Sequence, residues 1–240
     1  MSKYFSIISP DGGGKDALFN RLLTIYPNAV QMYEPGGTKE ADIIRHVLLD
    51  KDLTIKERTT LLKILVTEKE LSSVCHQYLI NAILLLEKDG MTGMAEAYLY
   101  AASRAETNEK IVKPALEEGE IVLSRRTVAC SMSYQGHARG IGMNNIWELN
   151  QPAVRECYPT LEIFLDVPAE VAQGRIQQRT EKQDRLDNES MDFHRKTVEG
   201  YHKYYKEYCP YPYVIVDGTQ TKEKVFEDVA KIIKNHLQTN

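Results

Sequence analysis

The sequence has few cysteines and no long apolar run, and both scarcities limit what the protein can be. The four cysteines, Cys75, Cys130, Cys157 and Cys209, are widely separated and show neither a C-x-x-C pair nor metal-ligand spacing. The longest apolar run, Ala82–Leu86, is far too short to span a bilayer. The N-terminus shows no signal-peptide pattern. We therefore expect a reduced, cytoplasmic protein that makes no membrane contact.

The sequence also lacks a surplus of positive charge. Its 240 residues include 30 Lys plus Arg and 34 Asp plus Glu, which gives a formal net charge of −4. Proteins that coat nucleic acid or anionic membranes without discrimination are expected to be basic, so the composition argues against both partners. Any anionic ligand must instead be held by a local cluster of cations. Hydrophobic residues make up 42% of the chain, enough for one core with a small appendage.

Alternating strand and helix patterns predict an α/β fold with a parallel sheet. The predicted strands are short apolar segments at residues 4–8, 29–33, 121–123, 161–166 and 214–216. Helical spacing follows them, so we expect one domain over residues 1–240 with five parallel strands and helices on both faces. Residues of about 51–90 differ, because they carry two helical patterns with no strand between them. We interpret this segment as a helical insertion.

A glycine-rich loop joins the first predicted strand to the first predicted helix. The pattern of a phosphate-binding loop, G-x-x-x-x-G-K-[S/T], is occupied here by Ser9, Pro10, Asp11, Gly12, Gly13, Gly14, Lys15 and Asp16. Such a loop wraps an anion with its backbone N–H groups, and Lys15 would reach the transferred phosphate. Two positions depart from the pattern, since Ser9 replaces a glycine and Asp16 replaces the hydroxyl that contacts Mg²⁺. A carboxylate can still bind a metal. The alternative is a simple glycine turn in which Asp16 caps the helix.

Four further motifs are more specific. They are Glu34–Thr38 (EPGGT), Ala101–Ala105 (AASRA), Tyr134–Gly142 (YQGHARGIG) and Asp184–Asp187 (DRLD). In this order and spacing the chain resembles bacterial thymidylate kinases, most closely the Gram-positive type, over nearly everything except residues 51–90. The resemblance implies a P-loop nucleoside-monophosphate kinase fold and phosphoryl transfer from ATP to dTMP, giving dTDP, by a homodimer with Mg²⁺.

The resemblance also implies roles for individual residues. The residues expected to bind the acceptor dTMP are Glu34, Arg45, Tyr100, Arg104, Arg126, Tyr134 and Gln135. Among them Tyr100 would stack on thymine, Arg104 would pair with thymine or its phosphate, and Gln135 would read the base. The expected catalytic residues are Lys15, Glu34, Arg126, Arg179 and Arg185. ATP would bind residues 9–16 and Arg175, and the metal would bind Asp16 and Glu34. Residues of about 179–190 look like the lid, whose cations, with Arg175 just before it, close over the phosphates.

The third strand ends in a second departure from the family pattern. The family's Asp-Arg dipeptide aligns with Arg125-Arg126, so Arg126 keeps the arginine whereas Arg125 reverses the charge of the acid. Because Asp16 gains an acid where Arg125 loses one, we predict that the two form an ion pair. The pair would occupy part of the usual Mg²⁺ site and weaken binding of Mg²⁺–ATP. Thr127 and Cys130 also differ from the family, and the change could admit another pyrimidine monophosphate.

Two functions remain open at this point. One is an active thymidylate kinase with altered metal geometry, supported by the retained Lys15, Glu34, Arg104, Arg126 and Gln135. The other is a catalytically silent relative that binds a nucleotide or a partner, supported by the loss of both metal-side groups. The two apolar stripes of segment 51–90 must be buried. They would cap the acceptor pocket, extend a subunit interface, or pack as a hairpin on their own subunit.

Overall fold

Five parallel strands form the centre of the structure, a computed structural model that describes residues 3–178 and 184–239. The strands are β1 (Lys3–Ile8), β2 (Val30–Tyr33), β3 (Ile121–Arg125), β4 (Leu161–Asp166) and β5 (Tyr213–Asp217). Their order in the sheet is β2-β3-β1-β4-β5, and every neighbouring pair is parallel. The predicted α/β class with five parallel strands is confirmed.

Helices connect the strands throughout the described part of the chain. They are α1 (Lys15–Ile25), α2 (Lys39–Leu49), α3 (Ile55–Leu65), α4 (Ser73–Asp89), α5 (Gly93–Thr107), α6 (Lys113–Glu117), α7 (Val128–Ser131), α8 (Met143–Val154), α9 (Ala169–Gln177), α10 (Met191–Glu207) and α11 (Lys222–Thr239). Two π-helical segments, Asn108–Val112 and Met132–Ala138, continue α5 and α7. Within residues 3–178 and 184–239, no helix combines the length and apolarity needed to cross a membrane.

Alternate residues of β1 face opposite layers of helices, so both faces of the sheet are buried at its centre, whereas the edge strand β5 is partly exposed. Phe5 and Ile7 pack against α1 and α11. Tyr4 and Ile8 face the other layer, where α6, α7 and α10 contribute to the core. Burial on both faces explains why the strands are nearly continuously apolar, as parallel strands require.

The third strand is longer than its apolar pattern predicts. It extends through Ser124 and Arg125, which pair in register with Ser6 and Ile7 of β1. Backbone hydrogen bonding, which does not depend on side-chain polarity, therefore continues the strand beyond the apolar residues. The extension places Arg125 at the carboxyl edge of the sheet.

The segment 51–90 folds as a helical hairpin made of α3 and α4. Its buried residues Leu62 and Leu79 share one apolar cluster with residues of α2 and α5. The buried Arg58 ties the hairpin to the end of α2, since its Nη1 donates to the carbonyl of Val47 and its Nε donates to that of Leu53 at 3.2 Å. The apolar stripes of this segment are thus buried on their own chain.

Glu162, on β4, is a fully buried carboxylate near the middle of the sheet. Its Oε2 accepts hydrogen bonds from the hydroxyls of Ser6 at 2.8 Å and Thr127 at 2.6 Å, and its Oε1 accepts one from Tyr205 at 2.9 Å. Burial raises the pKa of Glu162 to about 7, with the hydrogen bonds from Thr127, Ser6 and Tyr205 opposing the shift. The folded protein therefore holds a proton that the unfolded chain releases at lower pH.

We expect Glu162→Gln to change how stability depends on pH. Between the ordinary glutamate pKa near 4.5 and the folded value of about 7, raising the pH favours unfolding of the wild type. Relative to the variant, the wild type should lose on the order of 2–3 kcal/mol of unfolding free energy from pH 5 to pH 8. Urea titrations at both pH values measure this difference. The exposed Glu120→Gln serves as control, and a difference independent of pH contradicts the assignment.

Candidate functional site

Loops that follow β1, β2 and β3 meet at one edge of the sheet around a cavity of about 270 Å³. These strands are neighbours in the sheet and parallel, so their carboxyl ends open on the same crevice. Eight residues that the sequence analysis singled out border this cavity. They are Asp11, Lys15, Asp16, Glu34, Arg45, Tyr100, Arg125 and Arg126. The topology therefore brings the predicted phosphate loop, the EPGGT motif and the end of β3 together.

The glycine-rich loop lies close against α9. Gly12 has a φ of +81°, and a Cβ there would collide with the carbonyl oxygen of Ala172 on α9. Glycine is thus required both by the backbone conformation and by the close approach. Lys15 follows at the start of α1, where its side chain is buried and its Nζ lies 3.2 Å from Oδ1 of Asp11.

The carboxylate of Asp11 binds two cations of the predicted site, Lys15 and Arg126. Its Oδ1 accepts from Nη2 of Arg126 as well as from Lys15, and its Oδ2 accepts from the hydroxyl of Tyr134 at 2.8 Å. Burial raises the pKa of Asp11, but the charges of Arg126 and Lys15 and the Tyr134 hydroxyl outweigh it and hold that pKa well below its usual range. Asp11 is therefore ionised. Tyr134, predicted to bind the acceptor dTMP, also hydrogen-bonds the glycine-rich loop.

The predicted ion pair between Asp16 and Arg125 is confirmed. Nη1 of Arg125 lies 2.8 Å from Oδ1 of Asp16. The guanidinium of Arg125 also lies over two aromatic rings, 4.8 Å from the ring centre of Phe19 and 5.3 Å from that of Tyr33. Cation–π contact and the ion pair together hold Arg125 at the carboxyl edge. Tyr33, the residue just before the EPGGT motif, thus contacts the second substituted position.

On the acceptor side, Glu34 and Arg104 form a buried, two-pronged ion pair. Nε and Nη2 of Arg104 donate to the two carboxylate oxygens of Glu34 at 3.1 and 2.5 Å. The remaining N–H groups of Arg104 donate to Ser131, Asn150 and the carbonyl of Thr127. All five donors of the guanidinium therefore have protein acceptors. The expected contact of Arg104 with thymine or its phosphate stays a prediction, and it requires exchange of one of these bonds.

A smaller cavity of about 20 Å³ adjoins the first beside Tyr100 and Gln135. The buried Leu186, from the predicted lid, borders both cavities. Nε2 of Gln135 donates to Oε1 of Glu96 at 2.6 Å. Our sequence analysis missed Glu96. A signal was present, because Glu96, Tyr100 and Arg104 recur at intervals of four residues and so share one face of α5.

The predicted lid arginines take different positions. Arg179 lies outside the described residues. Arg185 donates from Nη2 to Oε2 of Glu96 at 2.5 Å and from Nε to the carbonyl of Leu48 at 3.1 Å, so it binds helices α5 and α2 rather than the glycine-rich loop. Arg175 borders another cavity, of about 370 Å³, that lies beside Gly13 and Gly14. Its Nη2 donates to the carbonyl of Gly218 at 3.0 Å.

Comparison with known proteins identifies the family. A family model described as thymidylate kinase matches residues 55–229. The thymidylate kinase of Leuconostoc mesenteroides is 41% identical over 98% of this chain and 96% of its own length. Those of Thermoanaerobacter pseudethanolicus and Staphylococcus haemolyticus are 35% and 32% identical, over 98% and 99% of this chain and 98% and 100% of their own lengths. The chain belongs to the thymidylate kinase family. The resemblance drawn from its motifs is confirmed.

The thymidylate kinase family implies Mg²⁺, and the donor groups of this chain do not fit a metal held by the protein. Each carboxylate predicted as a ligand faces a guanidinium, Asp16 that of Arg125 and Glu34 that of Arg104. No group of three or more His, Cys, Asp or Glu side chains within residues 3–178 and 184–239 is arranged to hold a metal ion. The charges that would attract the ion are already balanced.

Replacing Arg104 by methionine should destabilise this thymidylate kinase relative strongly. The variant leaves the carboxylate of Glu34 buried without its cation, and breaking a buried pair in this way costs about 3–5 kcal/mol. Adding Glu34→Gln should recover part of that loss, because the uncompensated charge is then gone. Urea unfolding of the wild type, Arg104→Met and the double variant measures both effects. Equal losses in the single and double variants would show that the pair contributes nothing beyond packing.

Proposed function

We propose that the protein is a thymidylate kinase that transfers the γ-phosphoryl group of ATP to dTMP and releases dTDP and ADP. The observation that carries this proposal is the convergence of Lys15 and Arg126 on a single carboxylate, Asp11. A carboxylate and a phosphoryl group offer similar oxygen acceptors to an ammonium and a guanidinium. Asp11 thus marks the place where the transferred group would lie, in a chain of the matching family.

The two cavities on either side of the loop suit the two substrates. ATP would place its base in the cavity of about 370 Å³ beside Gly13, Gly14 and Arg175. Its phosphates would then run across the N-terminus of α1, which favours anions. The acceptor dTMP would enter the cavity of about 270 Å³, where Arg45 and Tyr100 are available for its phosphate and base.

In the proposed transfer, an oxygen of the dTMP phosphate attacks the γ-phosphorus of ATP, and the bond to ADP breaks. Lys15 and Arg126 exchange Asp11 for the transferred group and bind the negative charge that spreads over its oxygens. Asp11 remains beside Tyr134, whose hydroxyl continues to donate to it. The Glu34–Arg104 pair keeps the acceptor side rigid, because both side chains are buried and mutually oriented.

Mg²⁺ would accompany ATP on its phosphates. Asp16 and Glu34, the carboxylates proposed as its ligands from the family resemblance, are balanced by Arg125 and Arg104. We therefore assign no step of the transfer to a metal held by the protein. In this proposal the protein's own contribution to charge stabilisation comes from Lys15 and Arg126.

The smaller cavity beside Gln135, about 20 Å³, is too small for a pyrimidine ring. Leu186 borders this cavity. The acceptor base therefore enters the cavity once the segment 184–187 moves away, and the lid then closes over the base. We propose a single kinase domain over residues 1–240, with a helical insertion at about 51–90 and a lid at about 179–190. We propose a cytoplasmic homodimer without nucleic-acid or membrane partners.

A second candidate function is a catalytically impaired relative that binds a nucleotide or a partner. One observation favours it: Lys15, Arg104 and Arg126, which our sequence analysis assigned to substrate binding or catalysis, and the neighbouring Arg125 each face a carboxylate of the chain. A nucleotide must break these pairs before it binds productively. If breaking these ion pairs costs more free energy than nucleotide binding releases, the protein would not catalyse the transfer and would act by binding at another surface.

A coupled assay for ADP with dTMP and Mg²⁺–ATP separates the two candidates. We expect turnover by the wild type and a loss of about 10²–10³-fold in kcat for Lys15→Met, because its charge stabilises the transition state. The exposed Lys69→Met is the matched control. Absence of wild-type turnover, with dTMP binding intact by calorimetry, would exclude the kinase and leave the second candidate.

The double substitution Asp16→Thr with Arg125→Asp restores the residue types of the family pattern. We expect it to lower KM for Mg²⁺–ATP about tenfold, equivalent to ~1.4 kcal/mol, because the ion pair no longer occupies the metal side. Steady-state titrations of Mg²⁺–ATP at saturating dTMP measure the change. Arg155→Gln, at an exposed arginine, is the control, because it lowers the net charge by one, as the double substitution does. An unchanged KM would mean that the pair does not compete with the metal.

A further inference from the structure

Glu96 joins the base side of the candidate site to the lid. It lies on α5 and is 1% exposed. Its Oε1 accepts from Nε2 of Gln135 at 2.6 Å. Its Oε2 accepts from Nη2 of Arg185 at 2.5 Å and from Nη2 of Arg139 at 3.3 Å. One buried carboxylate therefore contacts the proposed base reader through one oxygen and two arginines through the other.

The carboxylate determines which way the amide of Gln135 points. An ionised carboxylate accepts hydrogen bonds and donates none, so the nitrogen of the amide must face Glu96. The amide oxygen of Gln135 is then left for the cavity that this residue borders with Tyr100 and Leu186. Glu96 thus makes Gln135 an acceptor toward the ligand, although glutamine by itself offers either group.

We infer that Glu96 is a positioning residue that sets base specificity by holding Gln135 with its oxygen toward the acceptor base. This inference rests on the proposed function, since it assigns Gln135 to the base of a nucleoside monophosphate. Thymine and uracil carry an N3–H donor that matches this oxygen. Cytosine has an acceptor at N3, so two acceptors would face each other without a proton in a buried site. Such a mismatch is strongly disfavoured.

The second oxygen of Glu96 makes this selection depend on the lid. Arg185 belongs to the lid segment and also donates to the carbonyl of Leu48 at 3.1 Å. Arg139 also bonds a residue of this segment, Glu189, at 2.6 Å, and its guanidinium lies 4.4 Å from the ring centre of Phe193. When the lid segment docks, Arg185 adds a bond that prevents Glu96 from rotating away from Gln135. The hydrogen bonds that hold Glu96 against Gln135 are therefore complete only when the lid segment is docked.

The test compares dTMP with dCMP in the wild type, Glu96→Gln and Gln135→Ala. A glutamine at position 96 can offer its own NH₂ group, so it lets the amide of Gln135 reverse. We expect the ratio of kcat/KM for dTMP to that for dCMP to fall at least tenfold in Glu96→Gln. The change should appear in KM for dTMP, while KM for ATP stays the same. A merely structural role would instead lower kcat for both acceptors equally.

The double variant Glu96→Gln with Gln135→Ala decides whether Glu96 acts through Gln135. We expect the second substitution to abolish any further effect of the first on the dTMP-to-dCMP ratio. Glu87→Gln, at an exposed carboxylate that pairs with Lys63, is the matched control and should leave the ratio unchanged. Additive effects of the two substitutions would overturn the inference.

A failure of the proposed function gives a different pattern. If the wild type turns over neither acceptor, the same ratio is measured as calorimetric dissociation constants for dTMP and dCMP. A wild type that prefers dTMP, with a preference lost in Glu96→Gln, supports the inference without kinase activity. A wild type that binds neither nucleotide, or an unchanged ratio in Glu96→Gln, overturns it.

Discussion

The carboxylate of Asp11 is the interaction on which the candidate site depends. It lies in the glycine-rich loop and binds Lys15 at the start of α1, Arg126 after β3, and Tyr134 in a π-helical segment. Arg126 and Tyr134 come from distant parts of the sequence. A buried charge needs partners, and its partners are costly to separate. Asp11 therefore fixes the relative positions of the loop, the end of β3 and the segment that carries Gln135.

The same electrostatic rule organises the rest of the site. Arginines face carboxylates at Asp16, Glu34 and Glu96, and the pair of Glu34 with Arg104 is almost fully excluded from water. The result is a site in which most of these charged groups already face an opposite charge before any substrate arrives. A phosphate ligand then gains affinity only as the difference between its own bonds and those it replaces. This balance makes discrimination among anions a matter of geometry as well as charge.

Several features could be predicted from the sequence because they are local. Apolar periodicity placed the strands and helices, and the motif order identified the family. The Asp16–Arg125 pair is not local, because its partners lie 109 residues apart; it could be predicted only because both positions depart from the family pattern with opposite changes of charge, a signal that Arg185 and Glu96 lack. The position of Arg185 could not be predicted, because its acceptor Glu96 lies 89 residues away. The role of Tyr134 was missed for the same reason, since its hydroxyl meets Asp11 across 123 residues.

The sequence by itself determined the alternation of strands and helices, the glycine-rich loop and the supply of charged residues. These depend on neighbouring residues and on spacing along one element. The tertiary structure alone decided which acid neutralises which base, that Leu186 borders the acceptor cavities, and that Glu96 orients Gln135. Such pairings depend on distances across the folded chain, and in a site with many charges of both signs several pairings are chemically possible. Packing selects one of them.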